Sequence, residues 1–180
     1  EQMVALQELA AKKPHVKIVV NHSRRLNEHH RWVQRTVKEK KFGELVKVHW
    51  VYYGGWLHNG IHAVDTIQMM LGGQLNLKST TFSEPLKSGK DWGVDVELES
   101  EIYPSARILI EYFPESYFQL FEADLYFSSG RVRIEDFGSK VSYQTVAVNS
   151  IGEKELVSGQ TLTPITRNSL QILYDNIVAL

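Results

Sequence analysis

The spacing of apolar residues changes near residue 75, and this change constrains the fold more than any other feature of the chain. Before it, apolar residues recur at helical spacing between short strands; after it, they alternate with polar residues. In residues 94–99 the alternation of apolar and acidic residues is strict, which predicts a strand with one buried and one solvent-facing side. The same pattern predicts strands at 106–113, 117–127, 131–136 and 141–148, joined by short turns into an antiparallel meander.

Upstream of that change, the spacing predicts helices. Asn27 has the side chain of a helix cap, and a helix running from there to about Lys41 would end at Gly43. His29 and His30 lie among charged residues at its start, so we expect both to be exposed to solvent. A last helix begins near residue 170.

A strand at 44–53 leads through a glycine turn into a helix at 59–71. We expect Asn59 to cap this helix. Its buried stripe is expected to consist of Ile61, Val64, Ile67 and Leu71. Together with the meander, these elements predict an α+β fold, in which an open, largely antiparallel sheet has helices packed on one face.

Residues 1–20 predict a helix and a strand that would pack against a further domain. Residues 1–13 have helical spacing, and the β-branched run at 16–20 is typical of a strand buried on both faces of a parallel sheet. Such a strand has no predicted neighbours within this chain. We therefore expect a Rossmann-domain remnant at residues 1–24 and an α+β domain at residues 25–180, whose C-terminal helix is cut short.

Charge and composition exclude several classes of function. Twenty basic and twenty-one acidic residues give a net charge of -1, which offers no attraction to nucleic acid or to an anionic membrane. No apolar run approaches the ~18 residues of a membrane helix. The sequence has no cysteine for disulfides or thiolate chemistry. We expect a cytoplasmic protein with a small-molecule ligand.

The glycine turn at 54–55 and the helix after it form the strongest candidate site. His62 and Asp65 are three residues apart and lie on one helical face. In the first helical turn the helix dipole disfavours an imidazolium ion, so a neutral His62 could accept a hydroxyl proton as a general base. Asp65 would either orient the ring or raise its pKa. The alternative is a histidine that only packs or caps.

Polar residues after the run at 16–20 are further candidates. His22, Arg24 and Arg25 follow a predicted strand, at the end where ligands gather in α/β sheets, and are predicted to contact substrate or phosphate. The alternative is that the arginines form ion pairs with acidic residues of the sheet. Tyr53 could form an aromatic wall of the pocket or belong to the core.

Two other kinds of site have weaker support. His58, His62 and Asp65 could form a metal triad of two histidines and one carboxylate. Gly60 lies between the histidines and is expected to break the helix, so no metal site is predicted. The alternating acidic residues at 95–101 could contain the carboxylate pair of a glycosidase, but a solvated or oligomer-facing sheet surface explains them better.

Three motifs, taken together, resemble a known family. They are Asn-His-Ser-Arg-Arg-Leu at 21–26, Phe-Gly-Glu-Leu at 42–45, and the segment 54–65 with its Gly-Gly turn and Gly-x-His-x-x-Asp. Their order and spacing resemble the C-terminal half of the Gfo/Idh/MocA oxidoreductases, such as inositol dehydrogenase and glucose–fructose oxidoreductase, over nearly the whole chain. The resemblance implies an NAD(P)-dependent enzyme that acts on a hydroxyl group of a sugar, cyclitol or related compound.

The resemblance also implies roles for residues and partners. His62 takes the place of the family's histidine, and Arg25 that of an arginine that precedes an aromatic residue. NAD or NADP would bind in an N-terminal Rossmann domain, so no cofactor is expected in this chain itself. The open sheet face is expected to form a homodimer or tetramer. We expect His62 and His58 to be catalytic, and substrate to be bound by His22, Arg24, Arg25, Tyr53, Asn59 and Asp65.

His58 is the main departure from the family pattern, because it stands where the family has an aspartate. A histidine carries no fixed negative charge and would polarise His62 differently. The sequence therefore leaves two functions open. One is an oxidoreductase with adjusted chemistry or an unusual substrate, and the other is a non-catalytic substrate-binding or oligomerisation module.

Overall fold

The computed structural model describes residues 2–16, 18, 20–86, 89–165 and 169–178. Its helices are α1 (Gln2–Ala11), α2 (Glu28–Lys38), α3 (Ile61–Leu71) and α4 (Ser169–Val178), with 3₁₀ turns at Ser23–Leu26 and Asp136–Gly138 and a π-helical turn at Trp56–Gly60. Its strands are β1 (Leu45–Tyr52), β2 (Leu75–Pro85), β3 (Trp92–Ser100), β4 (Arg107–Tyr112), β5 (Phe121–Phe127), β6 (Gly130–Glu135), β7 (Lys140–Val148) and β8 (Lys154–Thr161). None of the described helices is long and apolar enough to cross a membrane.

The eight described strands form one sheet in the order β2-β3-β4-β1-β5-β6-β7-β8. β1 pairs in parallel with β4, and the other pairings are antiparallel. The predicted α+β fold with an open, largely antiparallel sheet is confirmed. The predicted continuous meander is wrong in one respect. β1 lies between β4 and β5, so the meander is divided into two antiparallel blocks.

The hydrophobic core lies between the sheet and helices α2 and α3. α2 buries Val33 and Val37 against fully buried strand residues such as Trp50. The stripe predicted for α3 is partly wrong, because Ile61 is 40% exposed. A polar residue can take a buried position in this helix because the hydroxyl of Thr66 donates to the carbonyl oxygen of His62 at 2.7 Å. The buried residues of α3 are Ala63, Thr66, Ile67, Met70 and Leu71.

Two strands, β2 and β8, have no counterpart among the predicted strands. They are the two edges of the sheet, and most of their side chains are exposed. An edge strand that buries little has no need of apolar alternation, so its sequence carries no strong strand signal.

The strand predicted at 117–127 is shorter than expected and begins at Phe121.

The strand predicted at residues 16–20 is not formed by the described part of that run. Val16, Ile18 and Val20 lie in no strand and are 47%, 46% and 64% exposed; residues 17 and 19 lie outside the described residues. A strand needs a neighbour for its backbone N–H and C=O groups, and no strand of the described sheet pairs with this run. The division into residues 1–24 and 25–180 stays a prediction.

The start of α2 is partly as predicted. The side-chain oxygen of Asn27 accepts a hydrogen bond from the backbone N–H of His30 at 3.0 Å, which confirms the predicted cap. The expectation that His29 and His30 are exposed is wrong, because they are 4% and 0% exposed. The turn at Gly138 covers both rings: the Gly138 carbonyl oxygen lies 3.1 Å from His29 Nδ1, and a Cβ at position 138 would overlap the His30 ring.

His30 should make the fold sensitive to acid. Burial lowers its pKa from the ordinary 6.5 to about 4, although the hydrogen bond to the backbone of Arg24 opposes this shift. The folded chain therefore binds this proton less readily than the unfolded chain. The neutral His30 ring makes its full contribution to the free energy of unfolding above about pH 6.5. This contribution, about 3 kcal/mol, is lost as the pH falls towards 4.

Urea unfolding between pH 7 and pH 4.5 would measure this loss. His30→Asn should flatten the pH dependence even if it lowers stability overall. His15→Asn, at an exposed histidine, is the matched control and should keep the wild-type slope. Equal slopes for wild type and His30→Asn would contradict the assignment.

Candidate functional site

β1 ends in a glycine turn that changes the direction of the chain. Gly54 and Gly55 have φ values of 74° and 84°, a region that residues with side chains disfavour. The carbonyl oxygen of Gly55 accepts hydrogen bonds from the N–H groups of Asn59 and Gly60, at 2.9 and 3.1 Å. The second bond spans five residues and makes the turn π-helical, a rare form that is frequent at functional sites.

Asn59 holds this turn from inside and does not cap α3 as predicted. It is 4% exposed, and its side-chain nitrogen donates to the carbonyl oxygen of Tyr53 at 2.8 Å. The residue at the cap position is Gly60, which has no side chain to bond the helix. Since α3 begins at Ile61, His62 is its second residue and lies in the first turn, as the sequence predicts.

Asp91 fixes the other side of the turn, a role that is not predicted from the sequence. Its carboxylate accepts hydrogen bonds from the backbone N–H groups of Leu57 at 2.9 Å, His58 at 3.2 Å and Trp92 at 2.8 Å. Asp91 is 34 residues from Leu57 in the sequence. An aspartate in a polar loop is common, so no local signal marks this one.

His58 lies on the exposed side of the π-helical turn. Among the described residues, no group of three or more histidine or carboxylate side chains is arranged to hold a metal ion. The triad of His58, His62 and Asp65 therefore has no geometric support.

Asp65 brings three predicted site residues together. Arg25 donates to its Oδ1 from Nε at 3.0 Å and from Nη2 at 2.6 Å. His22 Nδ1 lies 3.3 Å from Oδ2, close enough for an ion pair when His22 is protonated but without hydrogen-bond alignment. The ring of His22 in turn packs edge-on against the ring of His62, with centroids 5.7 Å apart. Chain segments 40 residues apart are joined here.

The pKa of His62 is lowered from its ordinary value. Burial is the largest cause, followed by the positive charge of Arg24 and by the neighbouring His22. Asp65 opposes the shift, but its carboxylate is already bound by Arg25. The sequence left open whether Asp65 would raise this pKa, and the structure shows that burial and Arg24 prevail. The ring is therefore neutral at pH 7.

Arg24 lies over an aromatic ring instead of beside a carboxylate. Its guanidinium carbon is 4.4 Å from the centroid of the Phe121 ring. Burial lowers the pKa of Arg24, while Tyr53 and Asp65 oppose that shift. The ring of Tyr53 packs edge-on against Phe137 at 5.8 Å, so Tyr53 is partly a core residue.

An open cleft of about 450 Å³ lies between the 3₁₀ turn Ser23–Leu26, α3 and α4. It contains the predicted residues His22, Arg25 and Asp65. Its lining is completed by Val20, Leu26, Leu173 and Asn176.

The acidic row on β3 does not have the properties of a glycosidase pair. Glu97 lies 3.3 Å from both Lys78 and Arg107. Its hydrogen bond to Lys78 is the main cause that lowers its pKa, whereas a glycosidase acid needs a raised pKa. Asp95 accepts the backbone N–H of Tyr112 at 2.7 Å. The row belongs to a charged sheet surface.

No family model matches the sequence, and no curated protein matches it. Solved structures match its fold. The 3-ketoreductase KijD10 from Actinomadura kijaniata, in complex with TDP-benzene and NADP, has a TM-score of 0.76 and 12% identity over 99% of this chain and 58% of its own. The transcriptional regulator Gal80p from Kluyveromyces lactis has a TM-score of 0.73 and 14% identity over 98% and 54%. The dehydrogenase MviM from Clostridium difficile has a TM-score of 0.60 and 14% identity over 85% and 49%.

These structures are Gfo/Idh/MocA-type proteins, and the match covers their C-terminal domain. The chain has the fold of that domain. The resemblance predicted from the motifs is thereby confirmed for the fold. The chain spans about half the length of these proteins, which are a reductase, a dehydrogenase and a transcriptional regulator, so the fold by itself does not decide activity.

The glycine turn can be tested by comparing two glycines with the same φ of 84°, Gly55 and Gly152. A Cβ on Gly55 would overlap the Asp91 carboxylate and lie 2.8 Å from Leu86 Cδ2, whereas no described atom lies within 4 Å of a Cβ on Gly152. Gly152→Ala should cost about 1 kcal/mol of unfolding free energy, the cost of the backbone conformation alone. Gly55→Ala should cost about 2–4 kcal/mol, because the overlap with Asp91 adds to the strain of a backbone with φ 84° and ψ 162°. Urea unfolding measures both, and equal losses would show that Asp91 does not constrain the turn.

Proposed function

We propose that this chain is the C-terminal portion of an NAD(P)-dependent oxidoreductase that acts on a hydroxyl group of a sugar, cyclitol or similar small molecule. The observation that carries the proposal is the position of His62 and the protonation state that its surroundings favour. His62 is a neutral imidazole in the first turn of α3, next to His22 and within electrostatic reach of Arg24. The similarity in fold to a 3-ketoreductase and a dehydrogenase supports the same conclusion.

His62 acts as the general base in the proposed reaction. A substrate hydroxyl transfers its proton to the ring nitrogen when the alcohol is oxidised, and the protonated ring returns a proton in the reverse direction. The lowered pKa keeps the ring unprotonated near neutral pH, which the role of base requires. Arg25 and Asp65 position His22 beside His62. We propose that Arg24 and Tyr53 contact the substrate.

The hydride acceptor in the proposed reaction is a nicotinamide cofactor, and we propose that residues outside this chain bind it. The sequence has no G-x-G-x-x-G pattern that could bind a pyrophosphate. The KijD10 structure contains NADP, and NAD or NADP is proposed for the complete protein by analogy with it. The residues of this chain contribute proton transfer and substrate orientation.

Turnover by the complete gene product, followed by nicotinamide absorbance, tests this function. His62→Asn should lower kcat by about 10²–10⁴-fold, with little change in KM, because it removes the base but leaves the binding residues. His15→Asn is the control and should be unaffected. Wild-type activity should fall with decreasing pH only below the ordinary histidine pKa of 6.5, since the base works in its neutral form. Failure of the complete product to bind a nicotinamide nucleotide would exclude the proposal.

A non-catalytic binding module is the second candidate. Two observations favour it: the fold is shared with the regulator Gal80p, and the exposed His58 stands where the resembling family has an aspartate. In that case the complete product would bind its small molecule without turnover. His62→Asn would then change affinity only.

We also propose that the open face of the sheet forms a homodimer or tetramer. This face carries apolar Leu109 among charged pairs such as His49 with Glu111. Leu109 alternates with buried Ile108 and Ile110, so its side chain lies on the face away from the helices.

Sedimentation would test this assembly. Wild type should be larger than a monomer, and Leu109→Glu should be monomeric because it places a second charge beside Glu111. Ile151→Glu, at a position 76% exposed in the β7–β8 turn, should assemble as wild type. A monomeric wild type would refute the proposal.

A further inference from the structure

Arg24 differs from its neighbour Arg25 in that none of the described residues provides it with an acceptor. Arg25 forms three hydrogen bonds with the Asp65 carboxylate. Within the described part of the chain, the guanidinium of Arg24 has neither a hydrogen bond nor an ion pair, and its contact is the face of the Phe121 ring. Stacking uses the face of a guanidinium and leaves its N–H groups free at the edge.

An unpaired guanidinium that is partly buried is unfavourable by itself. Partial burial separates the charge from some of its hydration, which costs free energy unless another group compensates. Burial also lowers the pKa of Arg24, but an arginine stays protonated at neutral pH. The fold thus holds a charged donor in a place where the described residues do not satisfy it.

The surrounding charges leave the site positive. Arg24 and Arg25 carry two positive charges, and Asp65 supplies the negative charge that acts on both. Asp65 is bound by Arg25 and lies beside His22. His62 is neutral at pH 7, and His58 supplies no carboxylate. A ligand with its own negative charge would balance the excess.

We infer that the substrate of the proposed reaction is an anion, a hydroxy compound with a carboxylate or phosphate group that Arg24 binds while His62 faces the hydroxyl. The planar fork of a guanidinium matches two oxygens of either group. This inference rests on the proposed function for the location of the hydroxyl, and it adds the substrate class. A neutral polyol would leave Arg24 without an acceptor.

Isothermal titration with three related probes tests the substrate class. Glucose is the neutral probe, glucuronate carries a carboxylate, and glucose 6-phosphate carries a phosphate. Wild type should bind at least one of the two anions about 10- to 100-fold more tightly than glucose. Preference between the two anions identifies the acidic group. Equal affinities for all three probes, or no binding of either anion, would overturn the inference.

Variants locate the anion at Arg24. Arg24→Gln should lose most of the preference for the anion, and Arg24→Lys should keep part of it because the charge remains without the fork. Arg35→Gln removes an exposed arginine near the end of α2 and should bind as wild type. Circular dichroism checks that each variant is folded. If Arg24→Gln is unfolded, Arg24→Lys and the wild-type preference decide the test. Unchanged anion binding in a folded Arg24→Gln would contradict the assignment.

An oxidoreductase that accepts neutral substrates and an anion-binding protein without activity would give different results. Turnover of neutral polyols by the complete gene product, with Arg24→Gln as active as wild type, would refute the anionic substrate and leave the oxidoreductase function intact. Anion binding that depends on Arg24, without any nicotinamide turnover, would refute the oxidoreductase function and support the anion site.

Discussion

The position of β1 in the sheet is the constraint on which the rest of the structure depends. It lies parallel to β4 and antiparallel to β5, and so joins the two antiparallel blocks. Tyr52 is fully buried, and its hydroxyl both donates to the carbonyl oxygen of Val94 and accepts from its N–H group. This ties β1 to β3, which is not its neighbour in the sheet. Because β1 is held in this way, the glycine turn at its end and the first turn of α3 have defined positions.

The pairing of one carboxylate explains the electrostatics of the candidate site. Asp65 is bound by Arg25, so it raises the pKa of His62 less than burial and Arg24 lower it. The same pairing leaves Arg24, among the described residues, without an acceptor of its own. A neutral base, together with a guanidinium that none of the described residues pairs with, suits a substrate that has both a hydroxyl group and a negative charge. This connects the proposed function with the proposed anionic substrate class.

Sequence signals that depend on near neighbours predicted the structure well. Asn27 caps α2, and the alternation at 94–99 becomes β3. The errors concern partners that are distant along the chain. Residues 16–20 have the composition of a strand but no described neighbour to pair with, and β2 and β8 form sheet edges without alternation. His29 lies among charged residues in the sequence, but the turn at Gly138, 109 residues away, covers it. Asn59 has the side chain of a cap, yet it bonds inside the turn instead.

The sequence by itself determined the α+β class, the helices α2 and α3, and the placement of His62 in the first turn after a glycine turn. Only the tertiary structure decided that β1 lies between β4 and β5 and that His22 packs against His62. It also decided that Arg24 stacks on Phe121, while Arg25 donates hydrogen bonds to Asp65. The physical reason is the range of each signal. Periodicity and capping reflect burial and bonding within a few residues, whereas these pairings join residues 40 or more positions apart and are selected by the geometry of the whole fold.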